Sequence, residues 1–459
     1  MSIWLRIATI TRAGLARISE RAILATGWFV LMVYAFPGYM SYDSVWQLVQ
    51  ARGVEPLSDW HPPLMAFMWR LLDRVIAGPI LMLVLQSVLF LLGLHALLRR
   101  FMPPRAAALV ASLVLIAPQN IVVMGVIWKD SQMAAFLLAA IPALLSEHRR
   151  YRVLGYVALV IATGLRYNAA AATLPLLVLL AAYHQPMKWW RRALLGSGLW
   201  VVVTLCALLV SYLLVEKRLH PWQTGAAPVD IAGIIRYSRP IPDAELLRAT
   251  PGVPWTSTEG IQKKTRAAYT PANSFFSVVT GDHRVMEYPS TDEHFAAISN
   301  AWKTLVLSHP WPFVFHRLQV FKTVLNGATG GERNTWVGFV AGETAEASLG
   351  HRASHSRWQQ RLIDLVLKAD ALFGVRVRFY FALSLVLIWF CLRRKVIAAI
   401  LLSGLAYQLG LLAVVPAIDY RYTHWMVVCT MIGTICLVAA RRRDDPRRLA
   451  AAVAQSPTA

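Results

Sequence analysis

Apolar runs of about 15–22 residues alternate with short charged stretches along most of the chain, close to the ~20 residues a helix needs to cross a bilayer. They predict membrane helices over 22–37, 79–98, 106–118, 131–146, 153–165, 169–187, 194–215, 377–392, 396–415 and 424–440. That is about ten spans, within a range of about nine to twelve because several runs are short for a crossing. Two stretches interrupt the pattern. The first, 38–78, leaves the opening span at Pro37-Gly38. It carries an amphipathic helix from Ser44 to Ala51 and then Trp60-His61-Pro62-Pro63, where the prolines end one helix and start another. The second, 216–372, is polar and turn-rich. Ser290 and Glu293 have capping-box spacing and predict a helix to about Ser308. Trp311 to Asn326 reads as another helix, stopped by Gly327, whose apolar residues place it on the membrane surface or against the spans. The expected fold is an all-α polytopic membrane protein with juxtamembrane helices in its first outer loop and a mixed, mainly α outer domain. Its parts are a membrane module over 1–215 (spans one to seven), an external domain over 216–372, a second membrane module over 373–443 and a disordered tail over 444–459. No internal repeat is visible.

Composition agrees with this reading. Of the 459 residues 57% are hydrophobic, against roughly 45–50% in soluble domains, and the mean hydropathy is +0.49. A net charge of +22 would suggest nucleic acid on a soluble protein. Its distribution excludes that: 21 Lys and Arg fall in segments predicted to be cytoplasmic, against eight in outward-facing ones, and 216–372 holds 17 basic and 14 acidic residues. By the positive-inside rule both termini are cytoplasmic and the two large loops external, or periplasmic, at a bacterial cytoplasmic membrane. The basic N-terminus followed by 22–37 resembles a signal peptide. Phe36-Pro37-Gly38-Tyr39 lacks a small-residue cleavage site, so an uncleaved first span is expected. Cys206, Cys391, Cys429 and Cys436 all lie in apolar runs and read as small core residues.

Charges are sparse outside, which makes the few present informative. They are Asp43, Asp59 before Trp60-His61, Lys129-Asp130 after Trp128, Arg166 in Arg166-Tyr167-Asn168, and Asp419-Tyr420-Arg421-Tyr422, each beside an aromatic residue. Arg166 follows Arg152 by 14 residues, about 21 Å of helix in a core roughly 30 Å thick. It therefore faces protein or a water-filled cavity, since a lipid-facing arginine there costs at least ~2.5 kcal/mol. Lys129 and Arg421 fall at the outer rim by the same measure. Three cations converging on one cavity suit an anionic ligand whose other end is in lipid, such as a polyprenyl phosphate. Each residue also has a structural reading: Asp43 and Asp130 as helix caps, Lys129 snorkelling to the interface, Arg166 paired with Asp130 or Asp419, Arg421 paired with Asp419, and His61 as a turn residue. His351 and His355 are spaced i,i+4 without a third ligand, and Gly327-Ala328-Thr329-Gly330-Gly331 lacks the Walker lysine.

In order and sidedness these residues resemble the GT-C superfamily of polytopic glycosyltransferases, which includes protein O-mannosyltransferases and lipid A aminoarabinose transferases. The resemblance rests on Asp43 after the first span and on His61-Pro62-Pro63-Leu64. Less characterised bacterial branches also match Lys129-Asp130, Arg166-Tyr167-Asn168 and Asp419-Tyr420-Arg421-Tyr422. It covers about 37–187 and 400–440. It implies transfer of a sugar, with inversion, from a polyprenyl-phosphate donor to a lipid, glycan or protein acceptor. Asp43 would be the general base, and Lys129, Arg166 and Arg421 would bind the lipid phosphate. Asp59, His61, Asp130, Asn168, Asp419 and Tyr422 would be further substrate contacts. A divalent cation held by Asp43 with His61 or Asp59 is a further reading. The mannosyltransferases pair two acids at the first loop, whereas Asp43 is followed by Ser44. An O-antigen-type polymerase or ligase, and a lipid-linked glycan flippase or transporter, are the competing classes.

Overall fold

The computed structural model describes residues 18–272, 275–326, 356–373, 377–414 and 419–443. The glycine-rich 327–331, the His351/His355 pair and the tail over 444–459 lie outside them. In chain order the helices are α1 (Glu20–Ala35), α2 (Tyr42–Ala51), α3 (Leu64–Asp73), α4 (Ile80–Leu98), α5 (Pro104–Ile116), α6 (Pro118–Met124), α7 (Lys129–Leu144), α8 (Arg149–Leu165), α9 (Ala169–Leu180) and α10 (Trp189–Leu214). Then follow α11 (Ala227–Tyr237), α12 (Asp243–Ala249), α13 (Ile261–Ala268), α14 (Asp292–Ser308), α15 (Pro310–Asn326), α16 (Arg357–Phe373), α17 (Val377–Cys391), α18 (Lys395–Val414) and α19 (His424–Arg443). Among the described residues there is no strand, only isolated bridges such as Tyr39 to Val126 and Ser58 to Lys217.

Each of the ten predicted apolar runs holds a helix, although that of 169–187 ends at Leu180 and 181–187 is turn and irregular backbone. Four helical stretches, Ile80–Leu98, Trp189–Leu214, Lys395–Val414 and Tyr420–Arg442, are long and apolar enough to cross a membrane; α5 and α6, bent by 69° at their junction, would make a fifth. Others are shorter than a straight crossing requires, α9 having 12 residues. On α10 the apolar side chains are mostly uncovered, Leu194 at 70% and Leu213 at 71% exposed, a surface that water would not tolerate at this extent.

Small residues let these helices approach. At Gly93 of α4 a Cβ would come within 2.8 Å of the Ala139 backbone in α7, and at Gly196 of α10 within 2.3 Å of Val178 in α9. One core runs through α1, α4, α5, α7, α9 and α18. A separate one, including Ile231, Val279, Met286, Ile298 and Leu305, fills the large polar segment. There the predicted helix ending at Ser308 is present, but its cap is Thr291, whose hydroxyl accepts from His294 N at 3.2 Å, one residue after the predicted Ser290. The other predicted helix begins at Pro310 and packs on α11, α17 and α18. It therefore takes the second of the two expected settings.

Candidate active site

The site is assembled by a polar latch between the first connection and the start of α7. Tyr39 N donates to Gly125 O at 2.9 Å and Ile127 N to Tyr39 O at 2.9 Å. Gln86 of α4 holds the same turn through Met124 O and Val126 O at 2.6 and 3.0 Å. Ser44 Oγ donates to Ile127 O at 2.7 Å and accepts from Ser41 N, and Trp128 Nε1 donates to Ser41 Oγ at 2.7 Å. Ser44 is 1% exposed and is a buried fastener between the first connection and the turn before α7. The N-cap residues of α2 and α7 are Ser41 and Trp128, leaving Asp43 and Asp130 in the first turns with carboxylates free for other partners.

Those partners form one network. Asp43 lies with Oδ2 2.7 Å from Arg421 Nη1 and Oδ1 3.6 Å from His61 Nε2, its side chain 31% exposed. Lys129 Nζ is 2.5 Å from His61 Nδ1. Arg421 Nε also meets Asp419 Oδ2 at 2.8 Å, and its own N–H donates to Asp419 Oδ1 at 3.1 Å. Arg166 pairs with Asp130 through Nη1 and donates from Nε to Asn168 Oδ1 at 3.1 Å. The Tyr422 ring lies between the two guanidiniums, 4.9 Å from Arg166 and 5.2 Å from Arg421, and Trp128 stacks on Arg421 at 4.9 Å. Tyr420 OH anchors this turn on Gln119 O at 3.0 Å. Of the predicted residues, Asp43, His61, Lys129, Asp130, Arg166, Asn168, Asp419, Arg421 and Tyr422 come together. Asp59 does not join them: its Oδ1 accepts Leu219 N at 2.5 Å and fastens the first connection to the start of the large polar segment. Trp128, Ser41 and Ser44 also build the site, and of these only Trp128 carries a sequence signal, the recurring pattern of a charge beside an aromatic.

Electrostatics assign the protons. Burial works against a charge on Asp43, but Arg421 beside it, followed by His61 and Lys129, holds its carboxyl well below the usual range. Burial and then Lys129 push His61 down to about 4, with Asp43 pulling weakly the other way. The ring is therefore neutral at pH 7. Burial lowers the Lys129 amine to about 7; the His61 Nδ1 accepts one of its N–H groups and the Nε2–H points at Asp43. Two guanidiniums and the Lys129 amine, which titrates near neutral pH, then face three carboxylates. Each arginine is matched, while Lys129 has no carboxylate ion pair among the described residues. The donor set does not suit a divalent cation: Asp43 is taken up by Arg421, His61 Nδ1 by Lys129, and a second guanidinium, Arg166, belongs to the same network. Among the described residues no group of three or more His, Cys, Asp or Glu side chains is arranged to hold a metal.

Fold and site together define a helical protein with apolar helices long enough to cross a membrane and a buried ionic network where their connections converge. Two solved structures are similar to the chain. The crystal structure of ArnT from Cupriavidus metallidurans bound to undecaprenyl phosphate has 14% identity and a TM-score of 0.35, over 91% of this chain and 77% of that one. The same protein in the apo state has 15% identity and a TM-score of 0.33, over 90% and 77%. No family model matches the chain, and no curated protein matches it.

Proposed function

We propose that the chain is a GT-C-type membrane glycosyltransferase that moves a sugar from a polyprenyl-phosphate donor to a hydroxyl of a lipid, glycan or protein, with inversion. In this reading about ten helices cross a bacterial cytoplasmic membrane. Both termini are cytoplasmic, and 38–78 and 216–372 meet on the outer side. The observation that supports it most is the setting of Asp43, a half-buried ionised carboxylate beside Arg421, His61 and Lys129 at the end of apolar helices.

The reaction is a single in-line displacement. Asp43 takes the proton of the acceptor hydroxyl as its oxygen attacks the anomeric carbon. The bond from that carbon to the phosphate oxygen breaks, and the electron pair goes to the phosphate, where Lys129 and Arg421 stabilise the growing charge. His61 is a positioning residue between Lys129 and Asp43. Arg166, matched by Asp130, supports the wall that Tyr422 shares with Arg421. A carboxylate held so far down is a weak base, and the arrangement contains the remedy. A donor phosphate competes with Asp43 for Arg421, and an aspartate released from an adjacent arginine regains about 1–3 pKa units. Donor binding thus raises the basicity of Asp43 when the acceptor arrives.

Asp43→Asn preserves size and cannot accept the proton. We expect folded, membrane-inserted protein whose transfer from a polyprenyl-phosphate sugar falls ~10²-fold or more. Near-normal transfer would remove Asp43 as the base and favour a polymerase or ligase that works through its arginines.

A further inference from the structure

A second polar recess, of about 730 Å³, opens where α2 ends and α3 runs toward α4. Its walls are built from ion pairs. Arg52 grips Asp73 with two bonds, Nε to Oδ2 at 2.9 Å and Nη2 to Oδ1 at 3.2 Å. Against the effect of burial, these bonds and one from Gly78 N hold the Asp73 carboxyl below its usual range. Arg70 donates to Ala51 O and Gln50 O at 3.1 Å and lies 3.7 Å from Glu216, whose other oxygen accepts Leu57 N at 2.9 Å. Two lining charges are left over: exposed Arg74 and half-buried Glu55 have no ion-pair partner among the described residues. The recess therefore offers one cation and one anion.

Val54 of the lining, and Leu71, Val75 and Ile76 next in sequence to the lining Arg70 and Arg74, are apolar and uncovered. Val54 is 76% exposed, Leu71 48%, Val75 74% and Ile76 50%. Four residues beyond Ile76 begins α4, which is long and apolar enough to cross a membrane, so the recess lies at the level where the bilayer turns from tails to headgroups. We propose that it binds the headgroup of a zwitterionic phospholipid, the phosphate on Arg74 and the ammonium on Glu55, with the acyl chains along Val75 and Ile76. A purely anionic headgroup would meet the Glu55 carboxylate without a cation of its own to offer it. A free phosphate would make no use of these apolar side chains. The site shares no residue with the charged network around Asp43 and stands or falls independently of the glycosyltransferase reading.

The test is native mass spectrometry of the purified full chain exchanged into phosphatidylethanolamine or phosphatidylglycerol at equal concentration. Wild type should retain phosphatidylethanolamine several-fold better. Arg74→Ala should lower that retention about tenfold, the scale of a lost charge-assisted hydrogen bond. Glu55→Gln should lower retention of phosphatidylethanolamine and leave that of phosphatidylglycerol unchanged or raised. Equal retention of the two lipids by wild type would overturn the proposal without any variant, and so would variants that melt and bind as wild type does.

Discussion

The pairing of Arg166 with Asp130 makes a prediction that separates scaffold from ligand site. Asp130 is 1% exposed; one oxygen meets Arg166, and the other has no hydrogen-bond partner among the described residues. Arg166→Ala removes the one countercharge that, among the described residues, is in contact with this buried carboxylate. Breaking a buried pair from one side costs about 3–5 kcal/mol, because the surviving charge is left uncompensated. The lost contact with the Tyr422 ring, 4.9 Å away, adds about 0.5–2 kcal/mol. Replacing Asp130 by Asn in the same chain removes the stranded charge, so the double variant should recover more than half of the loss. Arg166→Lys, which keeps the charge without the planar fork, should fall between. The assay follows unfolding of the purified variants in detergent and measures polyprenyl-phosphate binding on the same samples. We expect Arg166→Ala to unfold early and the double variant to bind donor nearly as wild type does. An Arg166→Ala protein of undiminished stability that no longer binds donor would refute this reasoning and make Arg166 a direct phosphate ligand.

Asp43 and the donor phosphate compete for Arg421, so Asp43→Asn, though nearly inactive, should bind polyprenyl phosphate several-fold tighter than wild type, as isothermal calorimetry would measure. Unchanged or weaker binding would mean that Arg421 does not receive the phosphate. In the large polar segment, fully buried His316 lies 3.0 Å from Asp230 Oδ1 and 2.6 Å from Tyr269 OH, with Arg317 2.6 Å from the same Asp230 oxygen. Burial lowers its pKa against the pull of Asp230. The folded state therefore binds this proton less readily than the unfolded chain, and its contribution to stability is lost as pH falls below the ordinary histidine value of 6.5. Melting temperatures from pH 7 to 5 should drop more steeply for wild type than for His316→Gln; equal slopes would show that His316 does not titrate in that range.

The hydrophobic pattern carried much of the architecture because a membrane helix announces itself locally. Every apolar run holds a helix, that of 169–187 ending early at Leu180, and the helices at 292–308 and 310–326 lie within two residues of their predicted starts. The aromatic beside each charge also proved physical, since Trp128 and Tyr422 are the surfaces on which Arg421 and Arg166 rest. Depth arithmetic sets Arg166 against protein or a water-filled cavity rather than lipid, and its side chain is 11% exposed. The same arithmetic could not supply its partner. Which carboxylate meets which cation depends on how helices 36 to 378 residues apart in sequence are rotated against one another, and no local periodicity encodes that rotation. Cations read singly along a chain look free, and three of them suggested an anion. Folded together they face three carboxylates, so an incoming phosphate must displace an internal ligand rather than fill an empty positive pocket. That changes the role of Asp43. Beside Arg421 it is both the competitor that the donor must displace and the base that the displacement releases, and one contact of 2.7 Å would couple donor binding to acceptor activation.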